Sequence, residues 1–381
     1  MDFAWTDKHK AYRREITAVL EQALPPDWWE TYAWDGPSSK PLMQFARGFA
    51  RRLAEKDLVV RHWPRAYGGQ DTEPWEHIIL SEEMWSTGEP RSSLYLGSNW
   101  AGPAIMQFGT EAQKRKYLPA IASGEMFFCQ GFSEPSAGSD LAAMRTSAER
   151  TNDGYVINGS KVWTSYAHSA DMCFLLARVG GDRRSGVSCF LMPMDTPGIR
   201  LRTIRGMEED DTHELFLTDV HLPDDARLGE EGRGWEIVTA ALHYERVGAA
   251  RYEFARRALD HAVAVLRQRG QFEDPIVQAK AASALALCEA ARLITYEVID
   301  RRVKNQPPTA VTSAARYAMG MSDQAVANFI ATYLPDSLTE TGDAMLMAHY
   351  KVGTVSTIVA GAAEVQLNLI ARGQLQLPKG G

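Results

Sequence analysis

The apolar residues of this chain change their spacing twice, and that double switch restricts its architecture more than anything else in the sequence. Ile16, Val19, Leu20, Ala23 and Leu24 recur at helical spacing until Pro25-Pro26 ends the pattern. Phe45 to Asp57 repeats it, closing before a turn at Pro64 to Gly69. Further helices are predicted over Glu76–Ser86, behind Pro74, and over Glu111–Ile121. Near Phe127 the period falls to that of a strand. Tyr155, Ile157 and Val162 alternate around Asn158-Gly159, which predicts a tight β-hairpin turn there. Leu175–Val179, Val187–Met192 and Glu214–Leu217 read as further strands.

After Gly232-Arg233-Gly234 the helical period returns. One long helix is predicted from Trp235 to about Arg267 and a second from Ile276 to Val303, with Asn305 to Thr309 as a linker. Small residues at Ala281, Ala284, Cys288 and Ala291 suit close packing in a bundle. The expectation is an α+β multidomain chain: an N-terminal helical domain over 1–126, a middle β domain over 127–227 and a C-terminal helical bundle over 228–381. A length of 381 residues favours two or three cores over one.

Composition removes several function classes. Hydrophobic residues at 45% and charged residues at 23% are ordinary for a soluble globular protein. No apolar run of membrane-spanning length occurs, and Met1 to Tyr12 lacks the apolar core of a signal peptide. The net charge of −7 argues against a nucleic-acid binder. Cys129, Cys173, Cys189 and Cys288 are too scattered for a metal site or a disulfide framework, and no HExxH arrangement occurs among the histidines. A reducing cytoplasm and no metal are the expectations.

Four stretches then point in one direction. They are Gly109-Thr110-Glu111-Ala112-Gln113-Lys114 with Leu118-Pro119, Ser133-Glu134-Pro135-Ser136-Ala137-Gly138-Ser139-Asp140, Gly159-Ser160-Lys161-Val162-Trp163-Thr164-Ser165, and Leu228 to Trp235. In order and spacing they resemble the signatures of the acyl-CoA dehydrogenases, and the resemblance covers nearly the whole chain. It implies a helical N-terminal domain, a middle β-barrel, a C-terminal four-helix bundle, FAD as cofactor and an acyl-CoA substrate. Electron-transfer flavoprotein is the implied acceptor.

The resemblance also distributes roles. Gln130, Phe132 and Ser133 would line the flavin ring, and Gly138-Ser139 would approach the pyrophosphate and the thioester. Small residues do let backbone N–H groups come close to oxygens, although an ordinary turn has the same composition. Trp163, Thr164 and Ser165 match the segment against the flavin. A tryptophan supplies a flat apolar wall, and a hydroxyl two residues on lies on the same strand face. The alternative is a barrel-core tryptophan beside a surface serine.

The general base is displaced. Where most of the family carries a glutamate, this chain has Val359-Ala360-Gly361-Ala362, and a methyl group cannot take a proton. A second position known in the family, on the first long bundle helix just before an arginine, is filled by Glu245-Arg246. Glu245 falls on an apolar stripe of Val238, Ala241, Leu242, Ala249 and Tyr252, where a carboxylate is costly unless paired or used. The alternative is a structural ion pair, with Arg256 or Arg257 as partners. The backbone N–H at Ala360, beside Gly361, would serve the thioester carbonyl. Arg246 would orient the base or the CoA, and Arg372 matches a CoA-contacting arginine; a surface arginine is the alternative for Arg372.

The segments with which a homotetrameric relative completes its neighbour's flavin site are poor here. Arg269-Gly270-Gln271-Phe272-Glu273-Asp274 carries acids, and Leu334 to Thr339 lacks a Gly-Gly pair. That combination resembles the α₂β₂ acyl-CoA dehydrogenases of bacterial steroid side-chain breakdown, which implies a second, acyl-CoA dehydrogenase-like subunit and a steroid side-chain CoA ester. A divergent homotetramer acting on branched or long-chain esters, a non-catalytic scaffold subunit and an oxidase remain the alternatives.

Overall fold

The computed structural model describes residues 5–34, 36, 38–207, 212–248 and 250–378, excluding the side chains of 242–248. These fall into two compact units, one formed by Met1–Gly36, Thr72–Pro90 and Arg246–Gly381, the other by Pro37–Asp71 and Arg91–Glu245.

The first unit is helical, with α1 (Asp7–Ala23), α3 (Pro74–Ser86), α8 (Arg251–Gln268), α9 (Pro275–Val303), α10 (Val311–Tyr333), α11 (Ala344–Val355) and α12 (Ala363–Gly373). Thr6, Asp274 and Asp343 accept backbone N–H groups at the starts of α1, α9 and α11, satisfying donors that a helix leaves open. The small residues of α9 are buried as expected: Ala281, Ala284 and Cys288 meet Leu259, Val326 and Ile330. Glu82 sits at the centre of a second cluster. Its Oε1 accepts from Tyr252 Oη at 2.9 Å and Tyr296 Oη at 2.6 Å, and Arg13 forks onto Glu82 and Glu83.

The second unit contains α2 (Lys40–Glu55), α4 (Leu94–Leu96), α5 (Gly102–Phe108), α6 (Glu111–Ala122) and a sheet. The strands are β1 (Phe128–Gly131), β2 (Ser147–Arg150), β3 (Gly154–Ser165), β4 (Met172–Arg178), β5 (Val187–Pro193), β6 (Ile199–Ile204), β7 (Thr212–Pro223) and β8 (Arg227–Leu228). Their order is β6-β7-β3-β2-β4-β5-β8, with β1 parallel to β4. The sheet therefore has two ends, β6 and β8, and does not close into a hydrogen-bonded barrel among the described residues. Tyr155, Ile157, Cys173, Leu175, Phe190, Leu215 and Leu217 form its core. The Gly109–Lys114 stretch has a structural task here. Thr110 and Gln113 make a reciprocal cap on α6, and the Gln113 amide nitrogen donates to the carbonyls of Asp225 and Arg227 at 2.8 and 2.9 Å.

Two sequence expectations fail for tertiary reasons. Asn158-Gly159 is not a hairpin turn but lies inside β3. Gly159 has φ +149°, a Cβ there would come within 2.6 Å of Thr146 Oγ1, and the β3–β7 register shifts at this point. The glycine marks a bulge, and Asn158 exchanges two hydrogen bonds with Asp219 at 3.1 and 2.9 Å. The β2–β3 turn lies earlier, at 151–154, closed by Thr151 N–H to Gly154 O at 2.9 Å. The single helix predicted from Trp235 to Arg267 is two: α7 (Gly234–Gly248) and α8, which starts at Arg251. Ala250 has a non-helical ψ of 48°, and its N–H reaches Ser81 Oγ at 3.4 Å. Docking of Tyr252 onto Glu82 in α3 outweighs the continuous helical propensity. Tyr252 therefore belongs to another helix than Val238 and Ala241. Among the described residues no helix is long and apolar enough to cross a membrane.

Candidate functional site

In the sheet-bearing unit, β3 carries Lys161 inward and Trp163 outward. Lys161 is wholly buried, and its ammonium donates to Glu134 Oε1 at 2.8 Å and Phe132 O at 3.1 Å. Glu134 also accepts from the N–H groups of Arg145 at 2.6 Å and Thr146 at 2.9 Å. Burial alone would raise the Glu134 carboxyl; Lys161 and the two amides overcome this and hold it below its ordinary value. For Lys161 burial is the larger effect and lowers the ammonium despite Glu134. The two directions pull opposite ways on the charged pair; the 2.8 Å approach, with two backbone N–H groups also donating to Glu134, identifies an ion pair held together against the cost of burying Lys161. Val162 N–H to Ser133 O, at 2.9 Å, adds a backbone tie between the same segments.

Trp163 stands on this support. It is 62% exposed at φ +59°, at a second bulge of β3 between Lys161 and Thr164. A bulky side chain rarely adopts such a backbone, and one that gains no burial by it is a site of stored strain. The other predicted residues of this unit divide by environment. Gln130 is half-buried, and its Oε1 has no partner among the described residues; the fully buried Thr164 Oγ1 has none either. Ser165 and Ser133 are half-buried, whereas Gly138 and Ser139 are exposed. A Cβ at Gly138 would meet nothing within 4 Å, so no neighbour in this chain demands glycine there. Phe132 packs between Trp100 and Phe174, with ring centroids at 6.3 and 5.7 Å, and so belongs to the core beneath this surface.

The helical unit holds the other predicted residues. The loop 356–362 joins α11 to α12, and in it Ala360 (φ +52°) and Gly361 (φ +94°) turn the chain left-handed while remaining exposed. A Cβ on Gly361 would lie 2.5 Å from Gln366 Nε2, which itself donates to Gly361 O at 3.3 Å. Beneath the loop lies a residue that sequence reading passed over. Arg316 of α10, 5% exposed, donates to the carbonyls of Ser356 and Val359 at 2.6 Å each and of Ala360 at 3.4 Å. An arginine within the alanine-rich start of α10 was the only signal available. Among the described residues nothing accepts the Ala360 N–H. Arg372 is exposed on the last turn of α12 without an ion pair among the described residues.

The side chains of Glu245 and Arg246 lie outside the described residues. Arg256, weighed as a partner for Glu245, forks onto Glu253 at 2.9 Å and contacts Asp260 at 3.2 Å. The two segments read as poor flavin-completing counterparts meet each other: Arg269 makes two contacts with the Asp336 carboxylate, at 3.0 and 2.8 Å. A polar cavity of about 560 Å³ also opens in this unit, between Arg13, Glu82, Glu253, Arg256, Arg292 and Tyr296. Its charges are matched from within, so it reads as a structural network.

Family models for the acyl-CoA dehydrogenase N-terminal, middle and C-terminal domains match residues 6–125, 129–220 and 232–375. The chain is 32% identical to the acyl-CoA dehydrogenase IpdE1 of Mycobacterium tuberculosis, over 97% of each chain. Its fold is similar to that of the Tcur3481-Tcur3483 steroid ACAD, with a TM-score of 0.93, 28% identity and 100% of each chain covered. It is also similar to a chain of the ChsE4-ChsE5 complex from Mycobacterium tuberculosis, with a TM-score of 0.87, 27% identity and 100% of each chain covered.

Proposed function

Because this chain belongs to the acyl-CoA dehydrogenase family, a family of flavoprotein oxidoreductases, we propose that it is the base-bearing subunit of an FAD-dependent enzyme converting an acyl-CoA thioester to its 2-enoyl-CoA. The observation that carries this reading is Trp163, an exposed aromatic held at φ +59° over a buried ion pair. An apolar wall that no described part of its own chain covers suits a planar cofactor. Gln130 Oε1 and Thr164 Oγ1, without partners among the described residues, and the open space at Gly138 would supply polar atoms and room for it. Trp163, Ser165, Gln130 and Ser133 would hold the flavin ring, and Gly138-Ser139 its phosphates. FAD, when bound, supplies the acceptor for a hydride equivalent from the β-carbon.

The chain's own residues have the proton and the carbonyl to manage. Glu245 takes the α-proton on its carboxylate. A carboxylate is a strong enough base for that proton only where it is desolvated. Ala360 N–H is available to the thioester oxygen as negative charge develops there. Arg246 and Arg372 serve the CoA moiety.

The similarity to proteins named as a steroid ACAD and as a two-protein complex supports a steroid side-chain CoA ester as substrate and a second, related subunit as partner. The Arg269–Asp336 pair supports the same partner. A guanidinium already neutralised by the chain's own carboxylate is a weak receptor for the pyrophosphate of a neighbour's flavin. Electron-transfer flavoprotein is the proposed acceptor. Co-expression with a second acyl-CoA dehydrogenase-like chain from the same organism, followed by counting FAD per assembly and by flavin bleaching with the ester, tests the reading. A flavin-saturated, active homotetramer of this chain would eliminate the heteromer. Bleaching that survives Glu245→Gln would eliminate the base, and a complex never bleached by any acyl-CoA would leave a scaffold subunit.

A further inference from the structure

We propose that Arg316 is a positioning residue that holds the loop 356–362 in its left-handed turn and polarises the Ala360 N–H for the thioester carbonyl oxygen of the acyl-CoA. The inference rests on the dehydrogenase reading above. Its basis is one amide group. The Val359 carbonyl and the Ala360 N–H belong to the same peptide unit, and that carbonyl accepts from a buried guanidinium at 2.6 Å. A cation at the oxygen end of an amide draws electron density away from nitrogen, so the N–H at the other end becomes a stronger donor. That N–H has no acceptor in this chain among the described residues and lies on an exposed residue.

The geometry also explains why alanine tolerates φ +52° at this position. The carbonyls of Ser356, Val359 and Ala360 converge on one guanidinium, and a right-handed Ala360 would direct its carbonyl elsewhere. Gln366, through Gly361 O, fixes the far end of the turn. A simpler role exists: Arg316 lies where a cation offsets the carbonyl end of α11. A helix-capping charge stabilises the fold, but it does not alter the vibration of a bound substrate.

The test therefore reads that vibration. The flavin-bearing assembly as purified is pre-reduced with dithionite, so that no turnover occurs. It is then mixed with a steroid side-chain CoA ester labelled with ¹³C at the thioester carbonyl, and the carbonyl stretch is followed by difference infrared spectroscopy. In the unmodified protein binding lowers the frequency. Arg316→Met is expected to lose most of that lowering and to reduce kcat about tenfold in the oxidised enzyme, with KM changed by less than about threefold. Arg316→Lys, a point charge without the fork, falls between the two and is read in place of Arg316→Met should the latter not fold. An unmodified protein that binds the ester without lowering its frequency overturns the inference, as do variants with unchanged frequency and kcat. An Arg316-dependent lowering in a protein that never oxidises the ester upholds the inference and sinks the dehydrogenase reading alone.

Discussion

Lys161 Nζ and Glu134 Oε1 lie 2.8 Å apart, with the two side chains 0% and 5% exposed. The pair ties the loop containing Ser133 to the strand that carries Trp163. Removing one member leaves the other charge stranded. Lys161→Met is expected to destabilise the protein by about 3–5 kcal/mol, and the double variant Lys161→Met/Glu134→Gln to recover much of that. Denaturant unfolding of the two single variants and the double gives the coupling directly, and additive effects would show that the pair does not act as a unit.

The pH dependence of stability has a source in His261 and Asp343, whose Nε2 and Oδ2 are 2.6 Å apart. The hydrogen bond to Asp343 raises the His261 pKa in spite of partial burial. A raised histidine contributes stability that is fully present below its unfolded pKa of about 6.5 and is lost as pH rises through the higher folded value. The melting temperature should therefore fall on the alkaline side of about pH 6.5, and His261→Gln should flatten that fall. Parallel alkaline limbs for the two proteins would remove His261 from the account.

Trp163 carries strain without burial, so its removal should separate stability from cofactor binding. Trp163→Gly relieves a backbone conformation that costs on the order of 1 kcal/mol, while glycine in a strand returns some of that cost. The flavin-free protein should melt no lower than the unmodified one. Flavin affinity, measured by equilibrium dialysis, should nevertheless fall about tenfold or more with the lost aromatic surface. A parallel loss of both would mean that Trp163 is simply part of the fold.

Base placement is tested by moving it. Glu245→Gln should lower kcat by about 10²–10⁴-fold. Ala360→Glu in that background puts a carboxylate at the position most of the family uses, and it should return a measurable part of the rate. Stopped-flow reduction of the flavin by the ester reads both. No rescue, together with a folded double variant, would indicate that the Ala360 position no longer faces the α-carbon.

Much of this was legible in the sequence because the signals were local. Period and turn residues marked α1, α2, α3, α6, α9 and the strands β3, β4, β5 and β7, and the segments around Ser133 and Trp163 stood out by their motifs. What escaped depends on residues distant in sequence. Asn158-Gly159 has hairpin chemistry, yet Thr146 and Asp219 make it a bulge. The run from Trp235 to Arg267 has helical period throughout, yet it breaks before Arg251, where the Ala250 N–H turns to Ser81, a residue 169 positions away. Lys161 and Glu134 were both in view as motif letters, but their pairing joins residues 27 apart in the chain. Arg316 meets carbonyls some 40 residues away, and carbonyls have no sequence signature.

The open end of the sheet at β6 has a consequence for the life of the chain before assembly. An unpaired strand edge recruits strands from other molecules and seeds aggregates. Here that edge carries Arg200 and Arg202, whose guanidinium groups lie 4.2 and 5.5 Å from the Phe216 ring centre, and Arg202 also pairs with Glu214. A strand docking on β6 would have to desolvate both arginines beside a ring they already occupy. The flank left by incomplete closure is thereby made a poor template, and a newly made chain is kept from polymerising through it.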